Sequence, residues 1–69
     1  MSINEILRIA LRSIEEHTNL LERDLAIGLR ENADFQDSTA HNCLRDAIHM
    51  NKMAVLEINC LLGPAGRTP

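Results

Sequence analysis

Apolar and polar residues alternate with a helical period along two long stretches of the chain, and a short polar stretch separates them. Within residues 3–30, and again within residues 38–62, apolar positions recur at steps of three and four. Such steps place side chains on one side of an α-helix. The pattern predicts two amphipathic helices, 3–30 and 38–62, joined by a turn over residues 31–37. The apolar face of the first helix comprises Ile3, Leu7, Ala10, Leu11, Ile14, Leu21, Leu25 and Leu29, widened by Ile6, Ile9, Leu20 and Ile27. That of the second comprises Ala40, Cys43, Leu44, Ala47, Ile48, Ala54, Val55, Ile58, Leu61 and Leu62.

Signals at the outer ends of both stretches support these limits. Ser2 and Glu5 have the S-x-x-E spacing of a capping box, directly before the first apolar run. Gly63 suits the position that follows a helix, and Pro64 cannot continue one, so the second helix is predicted to end there. Residues 63–69 are then expected to form a flexible C-terminal tail.

The short turn predicts that the two helices pack against each other in antiparallel orientation. If the turn centres near Asp34, facing residues have numbers that sum to about 68, so that Leu21 meets Ala47 and large side chains mostly oppose small ones. The same register pairs His17 with Asn51, the polar exceptions in their apolar stripes. We predict that this pair forms a buried, hydrogen-bonded layer that fixes register and oligomeric state. The alternative is that the two residues bind a ligand or act in catalysis.

One antiparallel contact cannot cover the apolar faces of both helices. A chain of 69 residues buries only about 60% of its unfolded surface, and such chains often need self-association to become stable. The sequence therefore predicts an all-α fold: an antiparallel two-helix hairpin over residues 1–62 that dimerises into a four-helix bundle.

Composition narrows the classes of partner. The formal net charge of −3 argues against general attraction to nucleic acid, since phosphate binding usually requires a cationic surface. Arg8, Arg12 and Arg23 interrupt the first apolar stretch, so no membrane span is expected. The N-terminal residues lack the basic and apolar regions of a secretory signal. Phe35 is the single aromatic residue, and we expect it to fold over the turn end of the hairpin.

Cysteine spacing and the absence of chemical motifs bound the function further. Cys43 and Cys60 lie on one helix, about 25 Å apart at 1.5 Å per residue, which is too far for a disulfide. Reduced thiols favour a cytoplasmic protein. No metal-ligand cluster, phosphate-binding loop or catalytic motif is present in the sequence, so we expect no metal, no cofactor and no enzymatic activity.

Two surfaces of the second helix are candidate interfaces. The first is an apolar stripe outside the main face, which would meet either a separate target or the second protomer. It consists of Met50, Met53, Leu56 and Cys60. The second is a basic strip, which would contact RNA phosphates or an acidic partner, or would simply be solvated. It consists of His41, Arg45, His49 and Lys52.

The layout resembles that of the Rop family of plasmid copy-number regulators. The resemblance is carried by Leu20-Leu21-Glu22, the turn stretch Asn32-Ala33-Asp34, and Leu44-Arg45-Asp46. It implies a helical hairpin that dimerises into an antiparallel four-helix bundle with alternating small and large core layers. In that family RNA binds polar residues and a Phe on the first helix; here the corresponding face carries Glu15, Glu16 and Glu22 and no aromatic residue. The chain is also similar in general character to small phage-encoded helical inhibitors of host regulators.

These observations favour a small, non-enzymatic cytoplasmic interaction protein. We expect a homodimer that binds a host or cognate regulatory protein and inhibits or adapts it, for example as a phage- or plasmid-encoded anti-activator of a host transcription factor. The alternatives are a Rop-like RNA-binding regulator, with RNA as the less favoured partner, and a small secretion-type chaperone subunit that is stable only in a heterocomplex.

Overall fold

The first helix begins at a capping box, as the sequence predicts. The computed structural model describes the backbone of residues 1–67 and the side chains of residues 1–63. Helix α1 spans Ile3–Glu31. The Glu5 backbone N–H donates to Ser2 Oγ at 3.1 Å, and the Ser2 N–H donates to Glu5 Oε1 at 3.3 Å. The reciprocal bonds satisfy backbone donors that have no partner within the helix. At the other end, the Asn32 N–H donates to Gly28 O at 3.0 Å.

A compact turn reverses the chain between the helices. The Asp34 N–H donates to Asn32 Oδ1 at 2.9 Å, and one turn of 3-10 helix follows at Phe35–Asp37. Ser38 then caps the second helix: its Oγ accepts from the His41 N–H at 3.1 Å and donates to Phe35 O at 2.6 Å. Asn, Asp and Ser favour such turns because their short side chains bond to nearby backbone groups.

Helix α2 spans Thr39–Arg67, with a break at Gly63. Gly63 has φ 66° and ψ 177°, a conformation that is essentially restricted to glycine. The main helix therefore stops at the predicted residue. Beyond the break, helical backbone resumes and runs to Arg67. Pro64 is compatible with this, since a proline is tolerated in the first turn of a helix. Residues 68–69 lie outside the described residues.

The two helices face each other through one seven-residue repeat on each. All fourteen positions are buried or half-buried, and we call them the inner seam. On α1 they are Leu7, Leu11, Ile14, Thr18, Leu21, Leu25 and Gly28. On α2 they are His41, Leu44, Ile48, Asn51, Val55, Ile58 and Leu62. Antiparallel order pairs the first member of one set with the last of the other, Leu7 with Leu62 and Gly28 with His41. Facing numbers thus sum to about 69, against the predicted 68.

The hairpin buries little of its apolar surface. Among the described residues, Ile48 and Leu62 are the buried hydrophobic side chains, at 8% and 7% exposure. Eleven large hydrophobic residues are exposed: Met1, Ile3, Ile6, Ile9, Leu20, Ile27, Leu29, Met50, Met53, Leu56 and Leu61. Two helices form one layer, and each has a single neighbour to pack against. The all-α hairpin is confirmed, and its exposed apolar surface forms the candidate sites.

Candidate interaction surfaces

A second repeat runs beside the inner seam on both helices. It is formed by the residue that directly precedes each inner-seam residue on both helices, and we call it the outer seam. Its members on α1 are Ile6, Ala10, Ser13, His17, Leu20, Asp24 and Ile27. On α2 they are Ala40, Cys43, Ala47, Met50, Ala54, Glu57 and Leu61. One residue is about 100° of rotation in a helix. In an antiparallel pair this rotation carries both sets to the same face of the hairpin.

Side-chain size differs between the two halves of the outer seam. The α1 half presents branched residues, with Ile6, Leu20 and Ile27 all exposed. The α2 half has alanine at every seventh position from 40 to 54. Ser13 is polar, but its Oγ donates to Ile9 O at 3.2 Å, which satisfies it within the helix. The face is therefore mainly apolar, with His17, Asp24 and Glu57 as further polar members, and its large side chains are open to solvent in the isolated chain.

His17 and Asn51 meet, as the register predicts. Asn51 Nδ2 lies 3.2 Å from His17 Nδ1, which links the outer seam of α1 to the inner seam of α2. The pair is not buried in the isolated chain, where His17 is exposed and Asn51 is half-buried. The reason is the position of His17, which lies one residue before the inner seam. The buried polar residue at this level is its neighbour Thr18, at 6% exposure. Thr18 Oγ1 donates to Ile14 O at 2.7 Å.

The opposite face of the hairpin carries a groove between the helices. It is lined mainly by residues that follow inner-seam positions, and it consists of two depressions of about 410 and 370 Å³. The first is lined by Glu15, Thr18, Asn19, Glu22, Lys52, Val55 and Leu56. The second is lined by Glu22, Leu25, Ala26, Leu29, Arg45, Ile48, His49 and Lys52. Lys52 Nζ lies 3.6 Å from Glu22 Oε2, and both residues line both depressions. The ion pair therefore spans the groove at its middle.

The predicted apolar stripe extends across the side of α2 that faces away from α1. All four of its residues are exposed. Met50 belongs to the outer seam and Leu56 lines the groove, whereas Met53 and Cys60 lie between these two edges. Met53, Leu56 and Cys60 also line one shallow depression together. The stripe thus connects the two faces of the hairpin.

His41 does not lie on the exposed basic strip that the sequence predicts. His41 is buried at 9% exposure, because it belongs to the inner seam and lies at the turn end. Its ring meets Phe35 edge-on, with centroids 5.5 Å apart and planes at 80°. Phe35 also rests on Gly28, where an added Cβ would come within 2.7 Å of the ring. This confirms that Phe35 closes the hairpin end. His41 Nδ1 is buried without a hydrogen-bond partner among the described residues.

Sequence reasoning missed the burial of both Thr18 and His41. Both side chains are polar, which favours exposed positions, yet each lies seven residues from other members of the inner seam. A strict count of sevens from Leu11 reaches Thr18, and a count back from Ile48 reaches His41. The remaining strip residues, Arg45, His49 and Lys52, are exposed along the α2 edge of the groove.

Within residues 1–67, no group of three or more His, Cys, Asp or Glu side chains is placed to hold a metal ion. Cys43 and Cys60 are exposed free thiols. Neither described helix has a stretch apolar and long enough to cross a membrane. No protein-family model matches the chain, and neither curated proteins nor solved structures show significant similarity to it.

Proposed function

We propose that the chain is a non-enzymatic interaction module that forms a homodimeric four-helix bundle and binds a regulatory protein, which it inhibits or adapts. The outer seam carries this proposal. It has the seven-residue spacing of a helix-packing surface. Its large apolar members are exposed in the isolated hairpin: Ile6, Leu20, Ile27, Met50 and Leu61. Exposed apolar side chains grouped on one face in this way mark an interaction site in a soluble protein.

The outer seam has the features of a surface that packs against a copy of itself. Branched side chains of α1 and alanines of α2 let large residues enter spaces left by small ones. The hairpin measures 46 by 18 Å along its two longest axes, so one face offers roughly 800 Å². That is about the area each partner contributes to a standard stable interface. Pairing two outer seams would also bury His17 and Asn51, as the sequence analysis expects of a layer that fixes register.

The partner protein then binds outside the dimer interface, on the groove or on the back of α2. Exposed, unpaired Cys43 and Cys60 suit a reducing compartment such as the cytoplasm. The Rop-like alternative, an RNA-binding regulator, has less support. His41 is buried, Lys52 is paired with Glu22, and Glu15 and Glu16 are exposed on α1.

Sedimentation of the full chain at micromolar concentration tests the dimer. The expected mass is about twice the 7.7 kDa of the chain, with one cooperative unfolding transition. A stable, cooperatively folded monomer would contradict the proposal, and an unfolded isolated chain would favour the chaperone-type subunit instead. Salt separates the protein and RNA alternatives, because RNA affinity falls steeply with salt whereas an apolar interface barely responds.

A further inference from the structure

We propose that the groove binds one amphipathic helix of the regulatory protein. That helix carries two large apolar side chains seven residues apart, and opposite charges on its two flanks. The inference rests on the proposed function and specifies where and how the partner is recognised. Helix-in-groove docking is a general recognition mode in which side chains at i, i+3, i+4 and i+7 act as anchors.

The spacing of the two depressions indicates the anchor spacing. The first depression is floored by Thr18 and Val55, and the second by Leu25 and Ile48. On each helix these floor residues are seven positions apart, which is about 10.5 Å along the axis. Side chains at i and i+7 of a docked helix are separated by the same distance. Two anchors two turns apart would therefore enter the two depressions together.

The ion pair between the depressions sets the size of the residues between the anchors. The pair of Lys52 and Glu22 lies across the groove, with side chains 59% and 48% exposed. An exposed pair of this kind holds its geometry weakly. A docked helix passes over it with positions i+3 and i+4, which must be small to bring the anchors down into the depressions.

The two edges of the groove have opposite charge. Glu15 and Glu22 line the α1 edge, whereas Arg45 and Lys52 line the α2 edge, and Glu22 and Lys52 pair with each other across the groove. A helix with cationic residues on one flank and acidic residues on the other matches both edges in one direction only. In the reverse direction each flank would face a groove edge of the same charge. The resulting repulsion excludes wrong partners. The groove thus brings Leu56 of the apolar stripe together with the exposed members of the basic strip.

A designed peptide pair tests the recognition rule. The probe is an 18-residue fluorescent helical peptide with Leu at i and i+7, Ala at i+3 and i+4, Lys along one flank and Glu along the other. The control peptide has the same composition, with one Leu moved by two positions onto the opposite side. Fluorescence anisotropy with the full chain should show at least tenfold tighter binding of the probe. Equal affinity, or no binding of either peptide, would overturn the inference.

Variants of the protein test whether the probe peptide binds in the groove. Ala26 is exposed and lines the second depression, so Ala26→Phe fills it and should weaken probe binding at least tenfold. Ala33→Phe adds the same ring at an exposed turn residue and should leave binding unchanged. Glu22→Lys should weaken binding about fivefold, and Glu16→Lys, outside the groove, should not. Unchanged binding by Ala26→Phe would show that the groove is not the site.

The same samples distinguish this inference from the homodimer. Sedimentation of each variant reports the dimer, and anisotropy reports the groove. A dimer that does not prefer the probe overturns the groove inference and leaves the homodimer standing. If the chain is a monomer that binds the probe, and Ala26→Phe abolishes that binding, the homodimer proposal is overturned and the groove inference is supported.

Discussion

The inner and outer seams run side by side along the same two helices, one residue apart, and yet they differ in residue type and in exposure. The inner seam contains mostly Leu, Ile and Val, and its residues are buried or half-buried within the hairpin. The outer seam mixes branched residues with alanines and also contains Asp24 and Glu57, and its large apolar side chains are exposed. Both have the same seven-residue spacing. A repeat of sevens therefore shows that a face is built for helix packing, and it does not show whether the neighbour belongs to the same chain.

The polar residues of the two seams also differ in where their hydrogen bonds are made. Thr18, within the inner seam, bonds to its own helix at 2.7 Å and needs nothing from a neighbour. His17, in the outer seam, bonds across to Asn51 at 3.2 Å and keeps an exposed ring. Polar groups that are satisfied locally are compatible with any packing partner, whereas a bond between helices requires one register. The register of the hairpin is thus marked at the boundary between the seams.

A charge placed in the outer seam should give the largest effect. Leu20 and Leu29 are almost equally exposed, at 48% and 44%, but Leu20 lies in the outer seam and Leu29 lines the groove. Leu20→Asp would bury an unpaired carboxylate between protomers, at a cost of about 3 kcal/mol or more. We expect Leu20→Asp to sediment as a monomer with lowered thermal stability, and Leu29→Asp to remain a dimer. Equal behaviour of the two variants would remove the distinction between the faces.

The apolar stripe on α2 offers a second contrast within a single helix. Met50→Asp changes an outer-seam residue and should weaken the dimer about tenfold, less than Leu20→Asp because Met50 is 69% exposed at the margin of the face. Met53→Asp changes a residue on the back of α2 and should keep both helical circular dichroism and dimer mass. Should Met53→Asp dissociate instead, the back of α2 belongs to the dimer core.

Substitution of Gly28 and of Gly63 should destabilise the protein for different reasons. A Cβ at Gly28 would meet the Phe35 ring at 2.7 Å, whereas one at Gly63 would meet nothing within 4 Å. Overpacking at Gly28→Ala is expected to cost about 1–3 kcal/mol, partly offset by up to about 1 kcal/mol of helix propensity. Gly63→Ala is expected to cost about 1–2 kcal/mol for its positive φ. Urea denaturation with Phe35→Leu as the second change should show coupling for Gly28 and none for Gly63.

The smallest expected effects are at the pair that links the seams. Asn51→Leu removes a half-buried amide from the inner seam and should raise stability by about 1 kcal/mol or alter the oligomeric state. His17→Leu leaves Asn51 without its partner and should lower stability by about 1 kcal/mol. Thermal unfolding and sedimentation measure both. If both changes are silent, the pair does not fix the register.

The sequence predicts the local structure well because local signals are strong. The capping box at Ser2, the break at Gly63 and the closing ring of Phe35 each follow from one or two residues and their immediate neighbours. The contact of His17 with Asn51 follows from the turn position and the antiparallel order. These features depend on short-range geometry that the residue types themselves specify.

Burial follows less directly from the sequence than contact does. The basic residues near His41 predict an exposed position for it, whereas the structure buries its ring edge-on against Phe35. Polarity is a property of the residue, whereas burial depends on which side of the helix faces the neighbouring helix. The assignment of Met50, Met53, Leu56 and Cys60 to one stripe rests on their spacing alone. Their spacing shows that they share a side of α2, but it does not show that this side extends between two faces.

The strict repeat of sevens has a consequence for how far a partner can follow the groove. An α-helix has 3.6 residues per turn, so a seam that recurs every 3.5 residues slowly rotates around the helix unless the helices coil left-handedly around each other. With a superhelical pitch of about 150 Å, the 46 Å length of the hairpin corresponds to roughly a third of a superhelical turn. A groove between helices coiled in this way would wind by the same amount. A short straight helix can follow it over about the two turns between Thr18 and Leu25, and a longer one must either coil with the hairpin or leave the surface.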